Sequence, residues 1–298
     1  MGNITRNRIL GAVGVATLGI LALSACVDSE APSPSGPATS DAPAEDVTFP
    51  EGSTMAELAE AGTITIGTKF DQPLFGLMNP GTGEPEGFDV EIGKIIAGEL
   101  GIAPENINWV ETVSSNREPF IQNGQVDIVI ATYTINDTRK EVVSFAGPYY
   151  EAGQSILVLA GNPNDIQGPD DLVGQPVCTA SGSTPEANLR ELGANVVATD
   201  TYSNCLEPLR SGQVVAVSTD NVILAGLAAQ NEGEFEVVGE PFTEEPYGIG
   251  LALEDTEFRM WINDVLEEIA ADGRWEQAWM STAGTVLPPA EPPAVDRY

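Results

Sequence analysis

This sequence predicts an α/β fold in two similar halves, and three observations predict it. Short apolar runs alternate with segments of helical periodicity along most of the chain. The alternation runs once from residue 63 to 131 and again, in different residues, from 176 to 230. The length of 298 residues, 42% of them hydrophobic, suits two lobes of roughly 100 residues each.

Each element follows from local pattern. Thr63-Ile64-Thr65-Ile66-Gly67 reads as a strand ended by glycine. Phe88, Ile92, Ile95, Ile96 and Leu100 then recur at helical spacing, and Gly101 supplies the stop. Trp109-Val110 lies in a second strand, Pro119-Phe120-Ile121 starts a short helix ended near Gly124, and residues 126–131 (VDIVIA) form a buried strand. This βαβα order argues for a parallel sheet with helices on both faces. In the second half, Pro176-Val177-Cys178 is a strand and Ser181-Gly182-Ser183-Thr184-Pro185 leads into a helix through Leu189 and Leu192. Val196-Val197 and residues 214–217 are further strands, residues 221–230 are helical, and residues 247–253 form another strand. Phe258, Trp261, Ile262, Val265, Leu266 and Ile269 mark the apolar face of a long helix. Trp275 and Trp279 lie in a final helix, and the Pro-rich tail from Leu287 reads as irregular. No strong internal sequence repeat accompanies the two halves.

Charge and composition exclude several function classes. The formal charge is −33. With Arg6 and Arg8 in an acid-free leader, ten of the 12 basic residues remain against all 45 acidic ones. Such a surface repels nucleic acid and anionic lipid headgroups, and its simplest role is solubility. The chain has no histidine, which removes the usual zinc sites and any His-based triad. Neither a metal nor a cofactor is expected.

Residues 1–26 read as a secretion signal. Arg6 and Arg8 form the charged start and residues 9–23 are an uncharged apolar run, short for a membrane span and normal for a signal core. Leu23-Ser24-Ala25-Cys26 resembles the bacterial lipoprotein box, in which the Cys26 thiol takes the lipid; an uncleaved anchor or an ordinary signal with a chance cysteine is the alternative. Residues 27–54 begin with a Pro-, Ser- and acid-rich stretch without hydrophobic period, expected to be a flexible stalk. The leader and stalk place the folded body outside the cell, anchored by lipid to the outer face of the membrane. Only Cys178 and Cys205 remain in that body. In an oxidising compartment they suggest a disulfide adding about 3 kcal/mol in the loop-entropy model, with two buried free thiols as the alternative.

Gly87-Phe88-Asp89-Val90-Glu91-Ile92, followed by Ile96-Ala97, resembles the signature of the polar-amino-acid (family 3) solute-binding proteins of ABC importers, which include actinobacterial glutamate-binding lipoproteins. Physically, Asp89 is expected to cap the helix that Phe88 and Ile92 staple to the sheet. The resemblance covers roughly residues 64–284. Ala131-Thr132-Tyr133-Thr134, Arg139 and Phe145-Ala146-Gly147-Pro148-Tyr149-Tyr150 look like the family's ligand strand and first hinge. Ser181-Gly182-Ser183-Thr184 resembles its second-lobe anion loop, residues 212–220 its ammonium-binding segment, and Tyr247-Gly248-Ile249 its returning hinge. The resemblance implies a two-lobed periplasmic-binding-protein type II fold, each lobe a mixed sheet flanked by helices, joined by two hinge strands. Lobe 1 would be 55–152 with 246–298, and lobe 2 would be 153–245. The partners implied are a small amino acid and the membrane permease and ATPase of an ABC importer, with a monomeric binding protein.

An α-amino acid carries a carboxylate and an ammonium that both need partners once water leaves the cleft. Carried over residue by residue, Arg139 would fork onto the α-carboxylate, and Ser183 and Thr184 at a helix start would favour an anion. Asp220 would take the ammonium with the Thr134 hydroxyl and the Ala131 or Thr132 carbonyl. Lys69 and Arg117, with Ser114, stand where relatives contact the ligand side chain, and two cations there suit a second carboxylate. The alternatives stay open: Arg139 paired with Asp137 or Glu141, Asp220 a helix cap, Lys69 paired with Asp71, and Arg117 with Glu118. The function expected is capture of glutamate or aspartate. Glutamine, asparagine or another polar amino acid is the runner-up, and a dehydratase- or lyase-like enzyme with Asp220, Glu244 or Glu245 as acid–base group comes next. A sensory ectodomain is the third class.

Overall fold

The computed structural model describes residues 43–45 and 47–298. The expected signal, Cys26 and the first part of the stalk lie outside the described residues. The last part of that stalk does not hang free. The Ala44 N–H donates to Gly98 O at 2.9 Å, and the Phe49 ring stands edge-on to Trp261 at 5.7 Å. Ser53 caps helix α1 (Thr54–Ala61) by accepting from the Ala56 N–H. One aromatic anchor and a cap thus hold a segment that has no hydrophobic period.

From α1 the chain enters β1 (Ile64–Thr68) and a small antiparallel sheet of β2 (Asp71–Gln72), β3 (Gly76–Met78) and β4 (Pro85–Glu86). Next come α2 (Phe88–Glu99), β5 (Ile107–Glu111), α3 (Arg117–Gln122), β6 (Ile128–Val129), α4 (Asp137–Lys140) and the long strand β7 (Ser144–Ala152). The second half holds β8 (Gln154–Leu159), β9 (Pro176–Ala180), α5 (Thr184–Leu192), β10 (Asn195–Thr199), α6 (Leu206–Arg210), β11 (Ala216–Asp220), α7 (Asn221–Gln230) and β12 (Phe235–Val238). Strand β13 (Glu245–Leu251) returns to the first half, followed by α8 (Thr256–Asp272) and α9 (Arg274–Ser281).

The two lobes are two five-stranded sheets, ordered β5-β1-β6-β13-β7 and β10-β9-β11-β8-β12. In each, three strands pair in parallel, as the βαβα order predicts, and one strand, β13 or β8, runs against the other four. The parallel-sheet expectation fails at β8 and β13, the strands that follow a crossing between lobes and so run back. Strand β6 pairs over two residues only, not over 126–131, and β11 runs later than 214–217, ending on Asp220. The later end of β11 puts the Asp220 carboxylate at a strand end.

A buried aromatic cluster supports the crossing strands. Phe88 packs edge-on to Trp275 (5.3 Å) and Trp279 (5.2 Å), Tyr150 stacks on Trp279, and Trp275 Nε1 donates to Tyr149 O. The irregular tail docks along β7, with the Asp296 N–H donating to Gly147 O and the Phe145 N–H to the Tyr298 hydroxyl. The α2 cap differs from expectation. Gly87 holds that position at φ +132°, where a Cβ would lie 2.3 Å from the Phe75 carbonyl, so only glycine fits. Asp89 lies one turn-step inside the helix and points elsewhere. It accepts from the Thr132 N–H (2.8 Å) and the Tyr149 hydroxyl (2.7 Å).

Candidate functional site: a cleft between the lobes

Three cations gather at the end of the first sheet. Lys69 follows β1, Arg117 opens α3 and Arg139 sits in α4; all three are buried. Lys69 Nζ donates to Ser114 Oγ at 2.9 Å. Burial first, and then the Arg117 guanidinium, pull its pKa down from 10.5 to about 7. Arg117 donates through Nε to Ser114 O and through Nη1 to the carbonyls of Ala131 (3.1 Å) and Thr132 (3.3 Å). Its Nη2 has no hydrogen bond among the described residues. Arg139 donates to Glu118 (3.1 Å), to Thr134 O (2.7 Å) and, across the junction, to Gly182 O (3.4 Å). A guanidinium has five N–H bonds, so two remain.

These cations are not paired as the alternatives proposed. Glu118 binds Arg139 rather than Arg117, and Asp71 accepts from Ser203 N and Oγ in the other lobe. Like charges share this space because Tyr133, buried between Thr132 and Thr134, lies under both guanidiniums, 4.2 Å from Arg117 and 5.0 Å from Arg139. Desolvated contacts of this kind contribute about 2 kcal/mol.

The opposite wall comes from the second sheet and is acidic and hydroxylic. Ser183 caps α5, accepting from the Glu186 N–H and donating to Ala180 O. Thr184 donates to Glu245 at 2.6 Å, and Thr134 donates to the same oxygen at 2.7 Å. Asp220 stands at the cap position of α7 but makes no capping bond. Its Oδ2 accepts from the Tyr247 hydroxyl at 2.6 Å, and its buried Oδ1 has no partner among the described residues. Burial, and then the Glu245 carboxylate, push the Asp220 pKa up to about 7. An unmatched buried acceptor of this kind suits a donor brought by a ligand.

The structure thus brings Lys69, Ser114, Arg117, Ala131, Thr132, Thr134, Arg139, Ser183, Thr184 and Asp220 to one junction. The carbonyls of Ala131 and Thr132, considered for an ammonium, already accept from Arg117, and Ala131 O also accepts from the Thr132 hydroxyl at 2.8 Å, so the Thr132 carbonyl is the freer of the two. Three residues do more here than the sequence suggests: Glu118, an alternative partner of Arg117, holds Arg139; Tyr133, placed in the ligand strand, underlies two guanidiniums; and Glu245 joins the ligand wall. Gln72, buried with a free Nε2, is a fourth. Gln72 carries no sequence signal of its own. The lobes meet directly here, since a Cβ on Gly182 would fall 2.8 Å from Ser115 Cα.

The chain is similar to known proteins in sequence and in fold. The family model of bacterial extracellular solute-binding proteins, family 3, matches residues 64–281. The glutamate-binding protein GluB of Corynebacterium efficiens is 40% identical over 91% of this chain and 88% of its own. The ABC transporter glutamine-binding protein GlnH of Bacillus subtilis is 38% identical over 76% of this chain and 83% of its own. Among solved structures, an ancestral arginine-binding protein bound to glutamine superposes with a TM-score of 0.69 at 36% identity, covering 74% of this chain and 97% of that one.

Proposed function

Since the chain belongs to the bacterial extracellular solute-binding proteins, family 3, we propose that it captures glutamate or aspartate between its lobes for an ABC importer. One observation carries the acidic ligand. Three buried cations meet at the cleft, and the one ion pair among them and the described residues is Arg139 with Glu118. Lys69, held near neutrality by burial, regains its charge when a carboxylate arrives. The α-carboxylate takes the two remaining Arg139 N–H bonds, the side-chain carboxylate takes Lys69 and Arg117 Nη2, and the ammonium takes Asp220. The GluB likeness supports this reading. The closed form, with ligand inside, is what the importer's membrane permease recognises. The chain works as a lipid-anchored monomer held at the outer face of the membrane through Cys26.

Glutamine is the second reading, favoured by the GlnH likeness and by a Lys69 that sheds its proton near pH 7. Calorimetric titration of the purified protein with glutamate, aspartate, glutamine and asparagine separates the two. Acidic ligands binding more tightly than their amides is the expected outcome; preference for glutamine would overturn the acidic assignment, and binding of none of the four would overturn the function.

A further inference from the structure

Glu245 opens the returning strand β13 at the line where the lobes join, and it is 2% exposed. Its two oxygens are occupied by protein. Oε2 accepts from the Thr134 hydroxyl of lobe 1 (2.7 Å) and the Thr184 hydroxyl of lobe 2 (2.6 Å). Oε1 accepts from the Thr243 hydroxyl at 2.9 Å and, at 3.5 Å, from Asn188 Nδ2. Glu245 is therefore not left with a free lone pair for a ligand, whereas Asp220 Oδ1 is unpartnered.

A threonine hydroxyl has one proton and two lone pairs. Both protons are committed to Glu245, so the two oxygens, 3.3 Å apart, offer only lone pairs to anything else. Asp220 belongs to the same end of the cleft. It is bonded to Tyr247, whose backbone is bridged to Thr134. Thr134, Thr184 and Asp220 thus make an acceptor-only surface. A carboxylate cannot hydrogen-bond there, and a group bearing only N–H donors can. The Thr184 hydroxyl then serves a cation, not the anion expected of its loop.

From this arrangement we infer that Glu245 is a positioning residue which fixes the hydrogen-bond polarity of Thr134 and Thr184 and so makes one end of the cleft selective for a primary ammonium. The inference rests on the amino-acid reading above and adds the residue that sets which way round the ligand lies. On opening, the carboxylate also stays with the hinge, so each lobe returns its hydroxyl to the same oxygen when it closes.

The test compares L-glutamate with L-2-hydroxyglutarate, which keeps both carboxylates and replaces the ammonium by a neutral hydroxyl. Affinities are measured for the wild-type chain, Glu245→Ala and the near-isosteric Glu245→Gln, with thermal unfolding of the ligand-free proteins alongside. The expected result is a preference for glutamate over hydroxyglutarate that narrows by at least about tenfold in Glu245→Ala, and in the same direction in Glu245→Gln. The narrowing should come from weaker glutamate binding, with hydroxyglutarate unchanged or improved. Equal losses for both ligands would show that Glu245 acts only on closure and would overturn the inference. So would a glutamate affinity within about twofold of wild type. If Glu245→Ala does not fold, Glu245→Gln decides alone. A wild-type chain that binds neither glutamate nor any other amino acid would instead sink the function proposed above.

Discussion

The two walls of the cleft differ in kind. The lobe 1 wall carries three buried cations and the ring of Tyr133, whereas the wall formed by lobe 2 and the hinge carries Asp220, Glu245 and hydroxyls. Each wall alone is an energetic liability, since buried charge without a partner costs several kcal/mol. Together they describe a molecule with anions at one side and a cation at the other. The ligand's own charges offset the walls, and closure without it leaves both walls poorly matched.

The sharpest way to break this contrast is to neutralise the acidic wall. Asp220→Asn should weaken glutamate binding by at least a hundredfold, about 3 kcal/mol, because a buried ammonium loses its counter-charge; isothermal calorimetry measures it. Next comes the basic wall. Arg117→Ala should cost about tenfold to a hundredfold for glutamate while glutamine loses less, so that the preference narrows or inverts. An unchanged ratio would remove Arg117 from the side-chain site.

Both walls can be titrated together. Lys69 has its pKa lowered to about 7 and faces Arg117, Asp71, Arg139 and Asp89. Asp220 has its pKa raised to about 7 and faces Glu245, Tyr247, Arg117 and Arg139. Above pH 7 Lys69 loses its proton and the carboxylate its partner; below pH 7 Asp220 gains one and the ammonium loses its partner. Glutamate affinity should therefore peak near neutrality and fall on both sides, by a few-fold per pH unit. In Lys69→Met the alkaline fall should vanish and the acid one persist. The smallest effect on binding should come from the Cys178–Cys205 disulfide, which ties β9 to the turn before α6. Cys178→Ser with Cys205→Ser should cost about 3 kcal/mol of stability for a loop of this size and change affinity little, read by denaturant unfolding and calorimetry.

Much of this was legible in the sequence. Helix α2 was marked by its apolar spacing, and β1, α5 and α7 by runs ended with glycine or polar residues. The site cations stood out because so few basic residues remain beside 45 acids. What stayed hidden has a common cause. Thr134 and Glu245 are 111 residues apart and Asp71 and Ser203 are 132 apart, and no local pattern encodes a contact at such range. Strands β2 to β4 are two or three residues long, too short for alternation to register. Asp89 at a helix start reads as a cap from sequence alone, because the glycine that takes that place is chosen by a clash with Phe75.

The strand order of the first sheet has one more consequence. Strand β13 lies between β6 and β7, so an interior place in that sheet is filled by residues 245–251, whereas the second sheet needs only residues 154–238. During synthesis the second lobe is an uninterrupted stretch that can complete its sheet early, while the first waits with a gap beside β6. Vectorial assembly would then run from the inserted lobe outward, and the slow step would be the threading of one late strand into a nearly finished neighbour.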